Sequence, residues 1–147
     1  MLDLTVPATH AASRVARRIV SDFARLDGLP SEEVEQLALV VSELTGNAVD
    51  HGGGGAAMDS ASLVGDVTMR LSLELTSHRW VVWVDDQGGG DVEELAAFLE
   101  PDAEIPLDDE RGRGFFLLKA MVEDLRVEPS ADGRGIRVRV ERAFGEQ

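Results

Sequence analysis

Two parallel stripes of side chains along residues 37–51 constrain the fold more than any other feature of this chain. An α-helix turns about 100° per residue, so Glu43, Asn47 and His51, spaced four residues apart, lie along one polar stripe. Apolar residues follow the same period on an adjoining stripe: Leu37, Val40, Val41, Leu44 and Ala48. The pattern predicts a helix with one side in a core and a row of polar groups beside it.

This polar row has two interpretations. A carboxylate, a carboxamide and an imidazole in line suit an oxygen-ligated metal and a proton acceptor. Polar residues at the same spacing are also typical of a solvated helix face. The stripe alone therefore does not decide between a site and a surface.

Composition and charge limit the class of protein. The 147 residues predict one domain, residues 1–147. With 28 acidic and 14 basic residues, the net charge of −14 argues against nucleic acid as a direct partner. The absence of cysteine excludes disulfides, thiol catalysis and cysteine-ligated zinc. No apolar run is long enough for a bilayer and no signal peptide precedes the first strand, which predicts a cytoplasmic protein without a membrane partner.

Hydrophobic periodicity predicts the remaining elements. Strands are expected at 2–6, 67–75 and 79–85, with a closing hairpin from 126–128 and 136–140, and helices are expected at 9–26, 31–52, 92–99 and 111–125. Ser31 is the predicted N-cap of the second helix. The Gly-rich segment 52–66 is predicted to be a flexible loop, and the acidic segment 100–110 a flexible cover. This order predicts an α+β sandwich with helices on one face of a mostly antiparallel sheet.

The first and last helices also have predicted faces. The core side of the first is expected to hold Ala12, Val15, Ala16, Ile19, Val20 and Phe23, and that of the last Phe115, Leu117, Leu118, Met121, Val122 and Leu125. Four arginines cover the rest of the first helix: Arg14, Arg17, Arg18 and Arg25. They indicate either a docking face for an acidic partner or a solvated helix flank.

Two glycine motifs follow the predicted site helix. Gly112 and Gly114 flank Arg113 where a helix opens, and free N–H groups there, with Arg111 beside them, form a plausible phosphate cradle. Asp86-x-Gly88-x-Gly90 ends an apolar strand, where a semi-buried carboxylate needs a hydrogen-bond donor such as an adenine amino group. Each motif taken alone is also common turn chemistry.

Taken together and in order, these motifs resemble the N, G1 and G2 boxes of the GHKL ATPases. The small size and the strand–helix–helix opening are most similar to the stand-alone anti-sigma factor serine kinases of the RsbW and SpoIIAB type. The resemblance implies a Bergerat-type two-layer α/β sandwich with a mixed, mostly antiparallel sheet. It also implies an ATP lid at about residues 91–113 and binding of ATP with Mg²⁺.

The resemblance assigns roles to matching positions. Asn47 would hold Mg²⁺ against the triphosphate, and Glu43 would be the catalytic base. The other implied nucleotide-binding residues are His51, Asp86, Gly88, Gly90, Arg111, Gly112, Arg113, Gly114 and Phe115. Two positions depart from the pattern, because Asp50 stands where relatives often carry a basic or apolar residue and Ile136 stands where many carry threonine.

The leading hypothesis is an ATP- and Mg²⁺-dependent serine/threonine kinase that phosphorylates an anti-anti-sigma partner with a STAS domain and regulates a sigma factor. Homodimerisation is an expectation from the resemblance alone. The alternatives are an ATP-binding switch without catalysis, motivated by Asp50 and the atypical loop at 52–66, and a stand-alone histidine-kinase-like ATPase domain of a signalling system.

Overall fold

A computed structural model of the chain describes residues 1–53, 55–88, 92–97, 99–100 and 110–145. In chain order the elements are β1 (Leu2–Pro7), α1 (His10–Leu26), α2 (Ser31–His51), β2 (Thr68–Leu75), β3 (Arg79–Asp85), α3 (Val92–Ala97), α4 (Glu110–Met121), β4 (Asp124–Pro129) and β5 (Ile136–Ala143). The predicted α+β class is confirmed.

The five strands form one sheet in the order β1-β2-β3-β5-β4. Each neighbouring pair is antiparallel, so the sheet is more uniform than the mixed sheet predicted. The reason is the closing hairpin. β4 runs parallel to β3, but β5 lies between them and is antiparallel to both. β1 is an edge strand, as its position before Pro7 predicts.

The core lies between the helices and the inner face of the sheet. The apolar stripe of α2 is buried as predicted, with Leu37, Val40 and Val41 fully inaccessible to solvent. β2 buries Met69, Leu71 and Leu73 as predicted, although Ser72 between them is buried as well. Because α2 packs by this stripe, its polar stripe is held at a fixed angle beside the core.

Three apolar side chains predicted to be buried are exposed. Val15 and Ile19 on α1 are 54% and 37% exposed, and Leu117 on α4 is 55% exposed. Ala16 and Val20 are buried as predicted, and the other buried residues of α1 are small: Ser13, Ser21 and Ala24. Small side chains let α1 approach α2 closely, which the Ser13–Thr45 hydroxyl hydrogen bond requires. The buried face of α1 is therefore one that allows close approach to α2.

The helix ends are only partly as predicted. Thr9 is the N-cap of α1, and its Oγ1 accepts a 3.0 Å hydrogen bond from the N–H of Ala12. The prediction of Ser31 as N-cap of α2 is wrong, because Ser31 is the first helical residue and Pro30 occupies the cap. Gly52 ends α2 as expected, and its N–H donates to the carbonyl of Ala48 at 3.0 Å.

The segment after α2 is fastened to the start of α1. The N–H groups of His10 and Ala11, which an α-helix leaves without internal partners, donate to the carbonyls of Ala57 and Met58 at 2.8 Å each. The N–H of Ala56 donates to the carbonyl of Val49 at 2.9 Å. These bonds connect the first turn of α1 with the last turn of α2.

A buried polar network joins four elements. Glu33 on α2, 7% exposed, accepts hydrogen bonds from Trp80 Nε1 at 3.1 Å and Arg142 Nε at 2.8 Å. Arg142 also donates to the carbonyl of Met121 at the end of α4. The hydrogen bond to Glu33 raises the pKa of the Arg142 guanidinium, which therefore stays charged.

The outer face of the sheet carries ion pairs instead of helices. A bidentate example joins Asp85 of β3 to Arg137 of β5, with Nε–Oδ1 and Nη2–Oδ2 distances of 2.6 and 2.9 Å. This hydrogen-bonded carboxylate raises the pKa of the Arg137 guanidinium. Within the described part of the chain, none of the helices is both long and apolar enough to cross a bilayer.

Candidate functional site

The polar stripe of α2 lines a cleft between α1 and α2. Glu43 and Asn47 are partly buried and His51, the last residue of the helix, is exposed. The cleft has a volume of about 530 Å³. Its other lining residues are His10, Ser13, Arg14, Ser42, Gly46, Asp50 and Met58. The three predicted residues therefore share one cleft, and residues of α1 form its opposite wall.

The carboxamide of Asn47 is an unsatisfied group. Its Nδ2 is buried and has no hydrogen-bond partner among the described residues. Leaving a buried donor unsatisfied costs about 1–3 kcal/mol, so this amide is suited to a partner from outside the chain. Nδ2 would donate to a phosphate oxygen, and rotation of the amide plane would present Oδ1 to a cation instead.

The glycine motif of α4 lies against the polar stripe. Gly114 is buried, and a methyl group added to it would sit 2.8 Å from Oε2 of Glu43. Gly112 and Arg113 precede it in the first turn of α4, where helix N–H groups lack internal partners. The predicted phosphate cradle therefore stands beside the predicted base. The side chains of Arg111 and Arg113 lie outside the described part of the structure.

Asp86 is not among the residues that line this cleft and instead lies beside Gly52, at the C-terminal end of α2. It follows β3, is 9% exposed, and its Oδ1 accepts hydrogen bonds from the N–H groups of Ile136 and Gly88 at 3.1 and 3.2 Å. Its Oδ2 faces the end of α2, since a methyl group on Gly52 would sit 2.5 Å from it. Two backbone donors thus fix the carboxylate, and its second oxygen is turned toward α2.

Glycines make this close approach feasible. A side chain at Gly88 would collide with the backbone of Gly52 and Gly53, and one at Gly135 would collide with Oδ1 and the carbonyl of Asp86. Backbone cannot move aside as the end of a flexible side chain can. The end of α2, the end of β3 and the start of β5 therefore meet at three positions that only glycine fits.

Two predicted residues stand apart from this arrangement. Phe115 has no exposed surface and is a core residue, so its side chain does not line the cleft. Gly90 lies outside the described residues, as do residues 91, 98 and 101–109 of the predicted lid.

Sequence reasoning missed several residues of the site. Gly135 has a place in a hairpin turn, and nothing in its neighbours along the chain indicates contact with Asp86. His10 and Ser13 lie thirty or more positions before Glu43, and a periodic pattern reports only contacts within one element. One local signal concerned Asp50. It follows Asn47 by three residues, and residues three apart share a helix face, so its presence in the cleft could be expected from the sequence.

Comparison with known families gives a broad match. The model of the histidine kinase-like ATPase domain matches residues 6–140 of this chain. A serine-protein kinase RsbW from Halalkalibacterium halodurans is 30% identical over 131 residues, covering 86% of this chain and 75% of the relative. A second, from Oceanobacillus iheyensis, is 29% identical over 129 residues, covering 86% and 77%.

A solved structure has a similar fold. A chain of the SiaB–SiaC complex from Pseudomonas aeruginosa superposes with a TM-score of 0.56, covering 98% of this chain and 90% of that chain. The two sequences are 13% identical, so this likeness concerns the fold alone.

Proposed function

Because the chain belongs to the family of histidine kinase-like ATPase domains, we propose that it is an ATP- and Mg²⁺-dependent serine/threonine kinase. In this proposal its substrate is an anti-anti-sigma protein with a STAS domain. The balance between the phosphorylated and the unphosphorylated form of that partner regulates a sigma factor. The two relatives named as serine-protein kinases support this assignment over other activities of the family.

One observation carries the proposal: two distant glycine motifs both contact α2, at positions separated along its axis. Gly114 lies against Glu43, while Gly88 and Asp86 lie against Gly52. Gly52 follows Glu43 by nine positions, which corresponds to a rise of about 13 Å along the helix. This arrangement suits an elongated ligand such as a nucleotide, with its adenine near Gly52 and its phosphates near Glu43.

Asp86 would recognise the adenine end. A carboxylate oxygen accepts but does not donate, so it would bind the exocyclic amino group of adenine and discriminate against guanine, whose carbonyl oxygen occupies that place. The two backbone N–H groups on Oδ1 would hold the carboxylate in position. Gly88 and Gly135 would keep side chains out of the base pocket.

Asn47 and the first turn of α4 would hold the phosphate end. Asn47 would use its unsatisfied carboxamide on Mg²⁺ or a phosphate oxygen, with Arg111 and Arg113 as the implied counter-charges. When bound, Mg²⁺ would neutralise phosphate charge during transfer. Among the described residues no group of three or more acidic or histidine side chains is placed to hold a metal ion. Mg²⁺ commonly takes only one or two protein ligands besides substrate phosphates and water.

Glu43 would act on the protein substrate. The substrate hydroxyl oxygen would form a bond to the γ-phosphorus, the bond from that phosphorus to the ADP oxygen would break, and the hydroxyl proton would pass to Glu43. The place of Glu43 in an open cleft next to Gly114 and one turn from Asn47 supports this role.

The arginines of α1 support docking of an acidic partner. Arg14, Arg17, Arg18 and Arg25 are exposed and line one groove of about 480 Å³ between α1 and α2. Arg14 also lines the cleft that contains Glu43. A partner held by this groove would therefore lie next to the proposed base.

The deciding experiment measures phosphoryl transfer. Purified protein is incubated with γ-³²P-ATP, Mg²⁺ and a purified STAS-domain protein, and acid-stable label on serine or threonine of that protein is expected. ATP binding without transfer to any STAS protein encoded in the same genome would favour the non-catalytic switch. Autophosphorylation on histidine would favour the signalling ATPase instead.

Asp86→Asn is expected to weaken ATP binding about 10- to 100-fold, the effect of losing one charged hydrogen bond. An asparagine oxygen still accepts from Ile136 and Gly88, so the fold should persist, while the new NH₂ group would face the adenine amino group. The measurement is isothermal titration with ATP and with GTP. Asp85→Asn is the matched control, because Asp85 pairs with Arg137 on the outer face of the sheet. Equal ATP affinity for the wild type and a folded Asp86→Asn variant would remove Asp86 from the site.

A further inference from the structure

The cleft beside the proposed phosphate end contains a second carboxylate. Asp50 lies three residues after Asn47 on α2, and both side chains line the cleft with Glu43. Residues three apart on a helix are neighbours, so Asp50 stands next to the amide proposed to meet Mg²⁺ and phosphate. A carboxylate free to turn toward a triphosphate would repel it.

Asp50 is held from across the cleft. Nε2 of His10 lies 2.8 Å from Oδ1 of Asp50. Because a carboxylate only accepts, the imidazole nitrogen is the donor. The bond links the first residue of α1 to the last turn of α2, and it holds the carboxylate toward the α1 wall.

The position of His10 is itself well fixed. Its backbone N–H donates to the carbonyl of Ala57, and Thr9 caps the helix that it opens. One turn further along α1, Ser13 is hydrogen bonded to Thr45 of α2. The side chains of His10 and Asp50 are 28% and 38% exposed. An anchored imidazole thus holds a carboxylate that would otherwise rotate at the rim of the cleft.

We propose that His10 is a positioning residue of the nucleotide site, which ties Asp50 to α1 and keeps its negative charge away from the triphosphate. This inference rests on the proposed function, in particular on a triphosphate at Asn47. His10 belongs to none of the three sequence motifs of the site.

The test compares ATP with adenosine, which has no phosphates. His10→Ala should weaken binding of ATP with Mg²⁺ about three- to tenfold by isothermal titration, the size of one partly screened charge interaction. Adenosine affinity should not change. Asp50→Asn should restore ATP affinity in the His10→Ala background, because the repelling charge is gone. His10→Gln, which keeps an N–H donor on a side chain of similar reach, should retain most of the affinity.

Several outcomes would overturn the inference. Equal losses for ATP and adenosine would mean that His10 merely supports the fold, and circular dichroism of each variant checks this independently. Tighter binding of ATP with Mg²⁺ by His10→Ala would mean that Asp50, once released from His10, contributes to binding of Mg²⁺. A double variant as weak as His10→Ala, or no effect of His10→Ala, would also exclude the proposed role. Failure of the wild type to bind ATP would instead refute the proposed function.

Discussion

Replacement of Glu43 by glutamine is expected to lower the rate of phosphoryl transfer by about 10²- to 10⁴-fold, the usual contribution of a positioned general base. The amide has the same shape as the carboxylate but does not accept a proton at neutral pH. ATP affinity should change little, since the role proposed for Glu43 is toward the substrate hydroxyl. Gly114 leaves room for a side chain of this size, so the variant should fold.

The measurement is single-turnover transfer of ³²P from ATP to the STAS-domain partner, with ATP affinity determined separately. Glu32→Gln is the matched control, because Glu32 is an exposed acid in the first turn of the same helix. It should transfer phosphate like the wild type. Transfer by Glu43→Gln at the wild-type rate would eliminate Glu43 as the base while leaving nucleotide binding unaffected.

Glu33→Ala is expected to cause the largest loss of stability, about 3 kcal/mol in the free energy of unfolding. The change removes the acceptor for Trp80 Nε1 and the counter-ion of Arg142. Truncating one member of a buried pair costs about 3–5 kcal/mol, and the lower end applies because the Arg142 side chain is 25% exposed. For a chain of this size, the melting temperature should fall by about 6–12 °C.

Urea unfolding and thermal melts would measure this effect. The adjacent Glu32→Ala serves as the control, since Glu32 is exposed and contributes mainly through the helix dipole, worth less than about 1 kcal/mol. The double replacement Glu33→Leu with Arg142→Leu should recover much of the stability, because it leaves no unpaired buried charge. Equal losses for Glu33→Ala and Glu32→Ala would show that the network contributes nothing beyond a surface charge.

Local patterns predicted the elements but not always their faces. The α2 stripe was read correctly because large apolar residues at helical spacing are forced inward by the whole core. On α1 the same reasoning failed for Val15 and Ile19, which are exposed. There the buried face packs against α2 and β1 and, apart from Val20, consists of alanine and serine residues, which allow close packing. Hydrophobicity alone does not distinguish these two situations.

The helix ends, too, were predicted correctly where local geometry decides them and not where other contacts do. Thr9 caps α1 because a threonine oxygen reaches the third N–H after it, which is a local geometry. Ser31 looked equally suitable, but the proline before it occupies the cap of α2. Gly52 was correctly placed at the end of α2, yet its contact with Asp86 was not foreseeable from that role.

The sequence by itself determined that Glu43, Asn47 and His51 share one helix face, because helical geometry fixes the spacing of side chains within an element. The alternation of apolar residues that predicted the strands is also a pattern within single elements. Only the tertiary structure decided which distant groups meet them. The His10–Asp50 bond spans 40 positions and the Glu33–Arg142 pair 109. Such contacts depend on how whole elements pack against one core, and no short stretch of sequence contains that information.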